Sequence, residues 1–312
     1  MSQYSELMIL GDWGTSVCRL YLCRFHQQQL TVIARTHGRG IKYINDPEAR
    51  FFELCQAWFE QYGAMPVFLI GTVGADIGWR EAPYVSCPTN KQNMLSTAIS
   101  FTARDIEFTI LPGLSCLNKH NLPDIMRGEE TQLFGFLSQQ AIDTEEQLIC
   151  LPGTHTKWAL LKQQNIESFV TSPVGELFEI LCHHSVLLNP AGNQIWCKHS
   201  FTHGLQVGMR ETSNLLHTLF ATRAHQVIDK HTNTQAAGYL SGLLIGADVK
   251  SAMEDYHLFS HVTVIGSDHI CSLYVEALKH IGISTEQFSS EDATLLGLQA
   301  LASVRWKDHA DA

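Results

Sequence analysis

Basic residues are scarce in this 312-residue chain: 21 Lys and Arg stand against 31 Asp and Glu, a formal charge of −10. That balance excludes general binding to nucleic acid or to an anionic membrane, since either needs a basic surface. It leaves room for one small anion held by a few local Arg or Lys. Long apolar runs are lacking too. No stretch reaches the ~18 apolar residues of a membrane span, and residues 1–10 have neither the basic start nor the long apolar run of a signal peptide. The nine cysteines are scattered, odd in number and without a C-x-x-C pair. This argues against a disulfide framework or a zinc ribbon and for a reduced cytoplasm. The two familiar phosphate loops, G-x-x-x-x-G-K-[ST] and G-x-G-x-x-G between strand and helix, are missing. What remains is a globular composition, 45 % hydrophobic and 17 % charged, long enough for two domains at roughly 150 residues each.

Apolar patterning predicts a hairpin, with strands over residues 7–10 and 17–23 around a Gly-rich turn at 11–16. A third strand is expected over 30–35, a helix over 47–62 capped by Asn45 or Asp46 and stopped by Gly63, and strands over 67–70 and 108–111. A second block begins near Met126 with a helix over 129–140 and strands over 148–151, 157–162 and 166–171. Long helices over about 202–225 and 234–253 follow, then a strand over 262–265 and a last helix over about 290–304. The order fits two α/β domains in close contact.

Four Gly/Thr or Gly/Ser turns each follow a short apolar strand: Asp12-Trp13-Gly14-Thr15-Ser16, Gly71-Thr72-Val73-Gly74, Pro152-Gly153-Thr154-His155 and Gly266-Ser267-Asp268. Glycine lets backbone amides approach a phosphate, and Thr or Ser adds a hydroxyl. A carboxylate beside such a turn, Asp12, can hold Mg²⁺ directly or through water. Each turn alone is equally an ordinary strand end; the set is more specific than its members.

These turns resemble the phosphate and adenosine loops of the actin/hexokinase-like ATPase superfamily. More narrowly, the chain resembles 2-dehydro-3-deoxygalactonokinases, through GDWGTSVCRLYL, GTVGADIGWREAPY, MRGEETQLFGF, LPGTHTKW, YLSGLLIGADV and EDATLLGLQAL, which together run nearly the whole length. MRGEETQ and PGTHTKW are the family-specific parts. The resemblance implies an α/β fold of two actin-like ATPase (ribonuclease H-like) domains flanking a nucleotide cleft: residues 1–124 joined by the terminal helix 291–306, and residues 125–290. It implies ATP- and Mg²⁺-dependent phosphorylation of the 6-hydroxyl of 2-dehydro-3-deoxy-D-galactonate. Alternatives are a kinase for another sugar acid and a non-catalytic nucleotide-binding sensor on the same fold. The partner implied is a small sugar acid, without nucleic acid or membrane; a homodimer is left open.

On this resemblance Gly14, Thr15 and Ser16 would contact the β/γ-phosphates, and Asp12 would bind hydrated Mg²⁺. Gly153, Thr154 and His155 would grip the phosphates from the other domain, with Gly266 and Ser267 near adenosine. In glycerol-kinase-like relatives the base lies in a Gly-Asp-Gln-Gln-type motif one helix and one strand before the second phosphate turn. Here that layout selects Glu129, then Glu130, although Glu is one methylene longer than Asp; acids at a helix start are also favoured by its dipole. Arg19 and Arg127 are candidates for the substrate carboxylate, which the planar guanidinium pairs bidentately; for Arg127 an ion pair with a neighbouring acid is the competing role. Lys157 could neutralise phosphate charge or lie on a strand surface. Gly71, Thr72 and Trp79 are candidates for the sugar cleft, Trp79 equally for the core. His199 and His203 have the i, i+4 spacing of a helical metal pair, but no H-E-x-x-H accompanies them and no zinc is expected. Gly238, Gly242 and Gly246 fall four apart, as close helix packing requires.

Overall fold

A short apolar run and the strand-forming residues after the turn build an antiparallel hairpin from β1 (Leu7–Trp13), buried along almost its whole length, and β2 (Val17–His26). Residues 6–26, 29–140, 146–188 and 197–310 are described in the computed structural model of the chain. β1 runs three residues further than expected. Gly11 continues the strand because Leu20 and Leu69 close over it, each with a methyl 2.6 Å from where a Cβ would stand. Asp12 therefore sits on a strand, opposite Arg19, and the turn shrinks to residues 14–16.

The hairpin continues into β3 (Gln29–Arg39). α1 (Pro47–Tyr62) follows as predicted: the Asp46 carboxylate accepts from the Ala49 amide at 2.9 Å, Pro47 opens the first turn, and Gly63 at φ +77 ends it. β4 (Val67–Ile70) pairs parallel with β1. Beyond it come β5 (Tyr84–Ser86), α2 (Lys91–Thr97), β6 (Ile99–Ala103), β7 (Ile106–Ile110), β8 (Gly113–Leu117), β9 (Pro123–Met126) and α3 (Glu129–Leu137). The main sheet has the order β3-β2-β1-β4-β7-β6, and β5-β8-β9 form a small second sheet. The core between α1 and the main sheet is aromatic. Phe51 meets Phe108 edge-on at 5.0 Å and Trp79 meets Phe108 at 4.7 Å. Trp79, 8 % exposed, is thus a core residue. Burying each such ring contributes about 1.5–3 kcal/mol.

The other sheet repeats the plan. β10 (Gln147–Leu151), β11 (Thr156–Lys162) and β12 (Asn165–Ser172) lead to α4 (Val174–His183), α5 (Lys198–Arg210), α6 (Leu215–Leu219), α7 (Ala221–Val227) and α8 (Asn233–Asp255). Then come β13 (His261–Gly266), α9 (Asp268–His280), β14 (Ser284–Ser289) and α10 (Ser290–Ala310). Its order is β12-β11-β10-β13-β14, with β13 parallel to β10 as β4 is to β1. The single helix expected over 202–225 is three helices. It breaks at residues 211–214, where the Asn214 side chain donates to Glu211 at 3.0 Å, the kind of local bond through which such residues leave a helix. α8 starts on a capping box between Thr232 and Gln235. Its glycines do pack closely: a Cβ on Gly242 would overlap the Phe201 carbonyl of α5, and one on Gly204 of α5 the Tyr239 carbonyl.

Contacts divide the chain into two units. One comprises Met1–Glu145, Lys162–Ser168 and Ser290–Ala312; the other comprises Glu146–Leu161 and Phe169–Ser289. The first division follows α3, whereas the sequence reading placed it at 124. α3 stays with the first unit because α10 packs directly on it. A Cβ on Gly135 would overlap the Ala293 carbonyl, and one on Gly297 the Thr131 carbonyl. Among the described residues no helix is long and apolar enough to cross a membrane.

Candidate functional site

In the first unit the catalytic candidates gather where β1 ends. Asp12 is half-buried, and Arg19 Nη1 lies 3.2 Å from its Oδ2. Burial raises the Asp12 pKa above the usual carboxylate value, the Arg19 charge opposes that rise, and the Glu129 charge adds to it. Glu129 is therefore within electrostatic reach of Asp12. The 14–16 turn is held from behind: amides of Gly40, Ile41 and Lys42 donate to the carbonyls of Ser16, Gly14 and Thr15 at 2.9–3.2 Å. A Cβ on Gly40 would overlap Thr15 O. With the carbonyls so engaged, the Thr15 and Ser16 amides donate to nothing among the described residues. Thr15 and Thr72 share a hydroxyl–hydroxyl bond at 3.0 Å, which ties this turn to the one at 71–74. Gly71, at φ +91, has the Trp13 carbonyl 2.9 Å and Asp12 Oδ1 3.3 Å from its Cβ position. Only glycine fits that approach.

α3 delivers the two glutamates differently. Glu130 is fully buried, and its Oε2 accepts from the Gly128 amide at 2.6 Å. Burial, then the Glu129 charge, pushes its pKa up to about 8. Its other oxygen, Oε1, is buried without a hydrogen-bond partner. Glu129 is only half-buried. Arg127 makes no ion pair with its acidic neighbours. Its Nη2 donates to the Ala82 carbonyl at 2.8 Å and its guanidinium lies 4.3 Å from the centre of the Tyr84 ring, while Nε and Nη1 are buried and unpartnered.

In the second unit the 153–155 turn and the start of α4 lie together. A Cβ on Gly175 would overlap the Gly153 carbonyl, and the Glu176 amide donates to the Thr154 carbonyl at 2.9 Å. The amides of Gly153, Thr154 and His155 donate to nothing among the described residues, and α4 has no side-chain N-cap. Unpaired amides at a helix N-terminus form an anion cradle. His155 is held by Glu176 at 2.9 Å. Lys157 is buried, not on a strand surface, with Nζ 3.2 Å from the His155 carbonyl. Gly266 ends β13 and Ser267 is the N-cap residue of α9, with Gly266 packed on Pro152 and Cys271. Beside the cradle is an apolar cavity of about 220 Å³ with Gly153, Gly238, Ser241, His269, Leu273 and Tyr274 in its wall. Tyr274 is fixed by hydrogen bonds to Thr156 and Asp248, both at 2.9 Å. Ser241 and His269 were not singled out from the sequence; only their nearness to Gly238 and Gly266 could have signalled them.

The chain matches the model of the 2-keto-3-deoxy-galactonokinase family over residues 12–301. It is 33 % identical over 297 residues to the 2-dehydro-3-deoxygalactonokinase of Escherichia coli (strain K12), covering 93 % of this chain and 96 % of that one. It is 29 % identical over 301 residues to a probable 2-dehydro-3-deoxygalactonokinase of Rhizobium meliloti (strain 1021), covering 95 % and 96 %. The crystal structure of a Sinorhizobium meliloti protein described in similar terms superposes with a TM-score of 0.86 at 29 % identity, covering 96 % of this chain and 99 % of that one.

Proposed function

The chain belongs to the 2-keto-3-deoxy-galactonokinase family, and from that premise we propose how its residues carry out the phosphoryl transfer. It is an ATP-using kinase on the two-domain actin/hexokinase-like fold, acting on the sugar acid 2-dehydro-3-deoxygalactonate in galactonate catabolism. We assign the transfer to the 6-hydroxyl and the enzyme to the cytoplasm.

Phosphoryl transfer needs positioning and charge stabilisation more than covalent help from the protein. The observation that carries the reading is the 14–16 turn, whose carbonyls are fastened from behind while the Thr15 and Ser16 amides stay unpaired. Those amides suit phosphate oxygens, and the amides of Gly153, Thr154 and His155 with the α4 N-terminus offer a second set. The fit to a hydrated Mg²⁺ rests on Asp12, a half-buried carboxylate at a strand end with a second carboxylate, Glu129, in electrostatic range. Such an ion, when bound, neutralises charge on the phosphate oxygens. Lys157 adds a fixed positive charge beneath the 153–155 turn. The apolar cavity bounded by Gly238 and Tyr274, next to Gly266 and Ser267, suits adenosine.

Glu129 is the base that takes the hydroxyl proton. Glu130, fully buried and bonded to the Gly128 amide, holds the turn that presents Glu129. Arg127 supplies a carboxylate fork: one edge is fixed on Ala82 and Tyr84, and buried Nε and Nη1 lack the acceptor that unpartnered donors demand. Arg19, already engaged by Asp12, tunes that carboxylate. Gly71 and Thr72 line the acceptor side of the 14–16 turn.

The test is a coupled ADP-release assay with Mg²⁺ across 2-dehydro-3-deoxygalactonate, its gluconate epimer, galactonate and simple hexoses. Turnover confined to the first is expected. Equal turnover on another sugar acid would reassign the substrate. ATP binding with no acceptor-dependent turnover would overturn the kinase mechanism.

A further inference from the structure

One group of ligand-type side chains in the second unit lies apart from every residue given a role above. His225 on α7, with Asp229 and His231 in the link to α8, each offer one ligand atom, and these atoms all lie within 4.8 Å of one another. The backbone gathers them. The amides of Asp229 and His231 both donate to the His225 carbonyl at 3.1 Å, and Lys230 between them takes a left-handed φ of +59. The His225 and His231 rings run nearly parallel with centroids 5.0 Å apart. His203, from α5, brings a third ring 5.6 Å from His225, and Tyr239 of α8 lies against both His203 and His225.

Two features point to a ligand. His231 Nδ1 is buried and has no hydrogen-bond partner. His225 Nδ1 is bonded to the Asp229 carboxylate, the arrangement that orients a ligating imidazole. Arg210, also near His203, turns its Nε to Glu211 at 3.2 Å.

We propose that His225, Asp229 and His231 bind one divalent d-block cation of the zinc type, with the His203 ring packed beside them. Imidazole nitrogens with one carboxylate suit Zn²⁺ or Co²⁺, whereas Mg²⁺ and Ca²⁺ prefer all-oxygen sites. The site is therefore chemically distinct from the Mg²⁺ assigned to Asp12. Its effect is mechanical. α6 buries none of its residues and α7 only Thr222, so the stretch between α5 and α8 is lightly held by packing. A metal here fastens the end of α7 to the start of α8.

The test uses untagged, chelator-stripped protein in excess Mg²⁺, titrated with ZnCl₂ by calorimetry and with CoCl₂ by visible absorption. One equivalent of Zn²⁺ per chain is expected. Affinity should fall by at least about 10-fold in His225→Ala, His231→Ala and Asp229→Ala, and stay unchanged in Asp12→Asn. Hydrogen exchange over residues 212–232 should slow on adding Zn²⁺ in the wild type and not in those three ligand variants. Should His231→Ala fail to fold, the exposed substitution Asp229→Asn with His225→Gln gives the same reading. No Zn²⁺ uptake by the wild type, or uptake unchanged in the His225→Ala/His231→Ala double variant, would overturn the proposal.

Discussion

Asp12 and Arg19 are directly paired across the first hairpin, with Nη1 3.2 Å from Oδ2. The pair sets the charge state of the carboxylate assigned to the metal. Burial raises the Asp12 pKa and Arg19 holds it down. Removing Arg19 leaves the rise unopposed, so ionisation needs a higher pH. Arg19→Gln should move the acid limb of the kcat/KM profile to higher pH and leave the alkaline limb in place. A pH–rate profile with saturating Mg²⁺ checks this, and Asp12→Asn should lose turnover across the whole range.

Glu129→Gln should lower kcat by about 10²–10⁴ with little change in KM for either substrate, as expected for loss of a general base. Its melting temperature should match the wild type because the residue is only half-buried. An unchanged kcat in a folded variant would remove Glu129 from the chemistry.

Glu130 carries a stability signature instead. Its pKa is raised to about 8 in the folded protein, so the folded state holds a proton there that the unfolded chain releases in the ordinary carboxylate range. That stability is fully present at low pH and is lost as pH rises through about 8. Glu130→Gln keeps an acceptor for the Gly128 amide and cannot ionise. Chemical denaturation from pH 5 to about 9 should show a flatter profile in the variant, with its largest gain at the alkaline end.

Two glycines separate packing from ligand contact. Nothing lies within 4 Å of a Cβ at Gly153, which borders the cavity, whereas a Cβ at Gly242 would overlap Phe201 O. Gly153→Ala should raise KM for ATP and leave the melting temperature alone. Gly242→Ala should destabilise by about 1–3 kcal/mol, the usual cost of overpacking, which urea denaturation would read.

Motifs that act through local backbone were legible in the sequence. The 153–155 turn and the stop at Gly63 each depend on a few adjacent residues and stand where the pattern put them; the first turn was seen but drawn too long, at 11–16, and the α1 cap fell on Asp46, one of the two residues the pattern offered. The Gly238–Gly242–Gly246 spacing likewise foretold close packing of α8, although not its partner α5. What depended on distant neighbours was hidden. The length of β1 is set by Leu69, the burial of Trp79 by Phe51 and Phe108, and the assignment of α3 to the first unit by α10. β14, with its exposed polar pattern, and α9 gave no periodicity strong enough to place them. The separation of Glu129 from Glu130 also needed the structure, since adjacent helix residues of the same type differ only in the face they occupy.

The seating of α10 on α3 fixes an order of birth. α3 emerges about 160 residues before α10, roughly 8–30 s earlier at a synthesis rate of ~5–20 residues per second. Through that interval the face of α3 carrying Thr131 and Gly135 has no α10 to cover it. The second unit lies entirely between residues 146 and 289, apart from a seven-residue excursion at Lys162–Ser168. All of it is synthesised before α10 is. The half that is translated first is thus the half finished last, and premature release of the nascent chain would strand it with its α3 seam open.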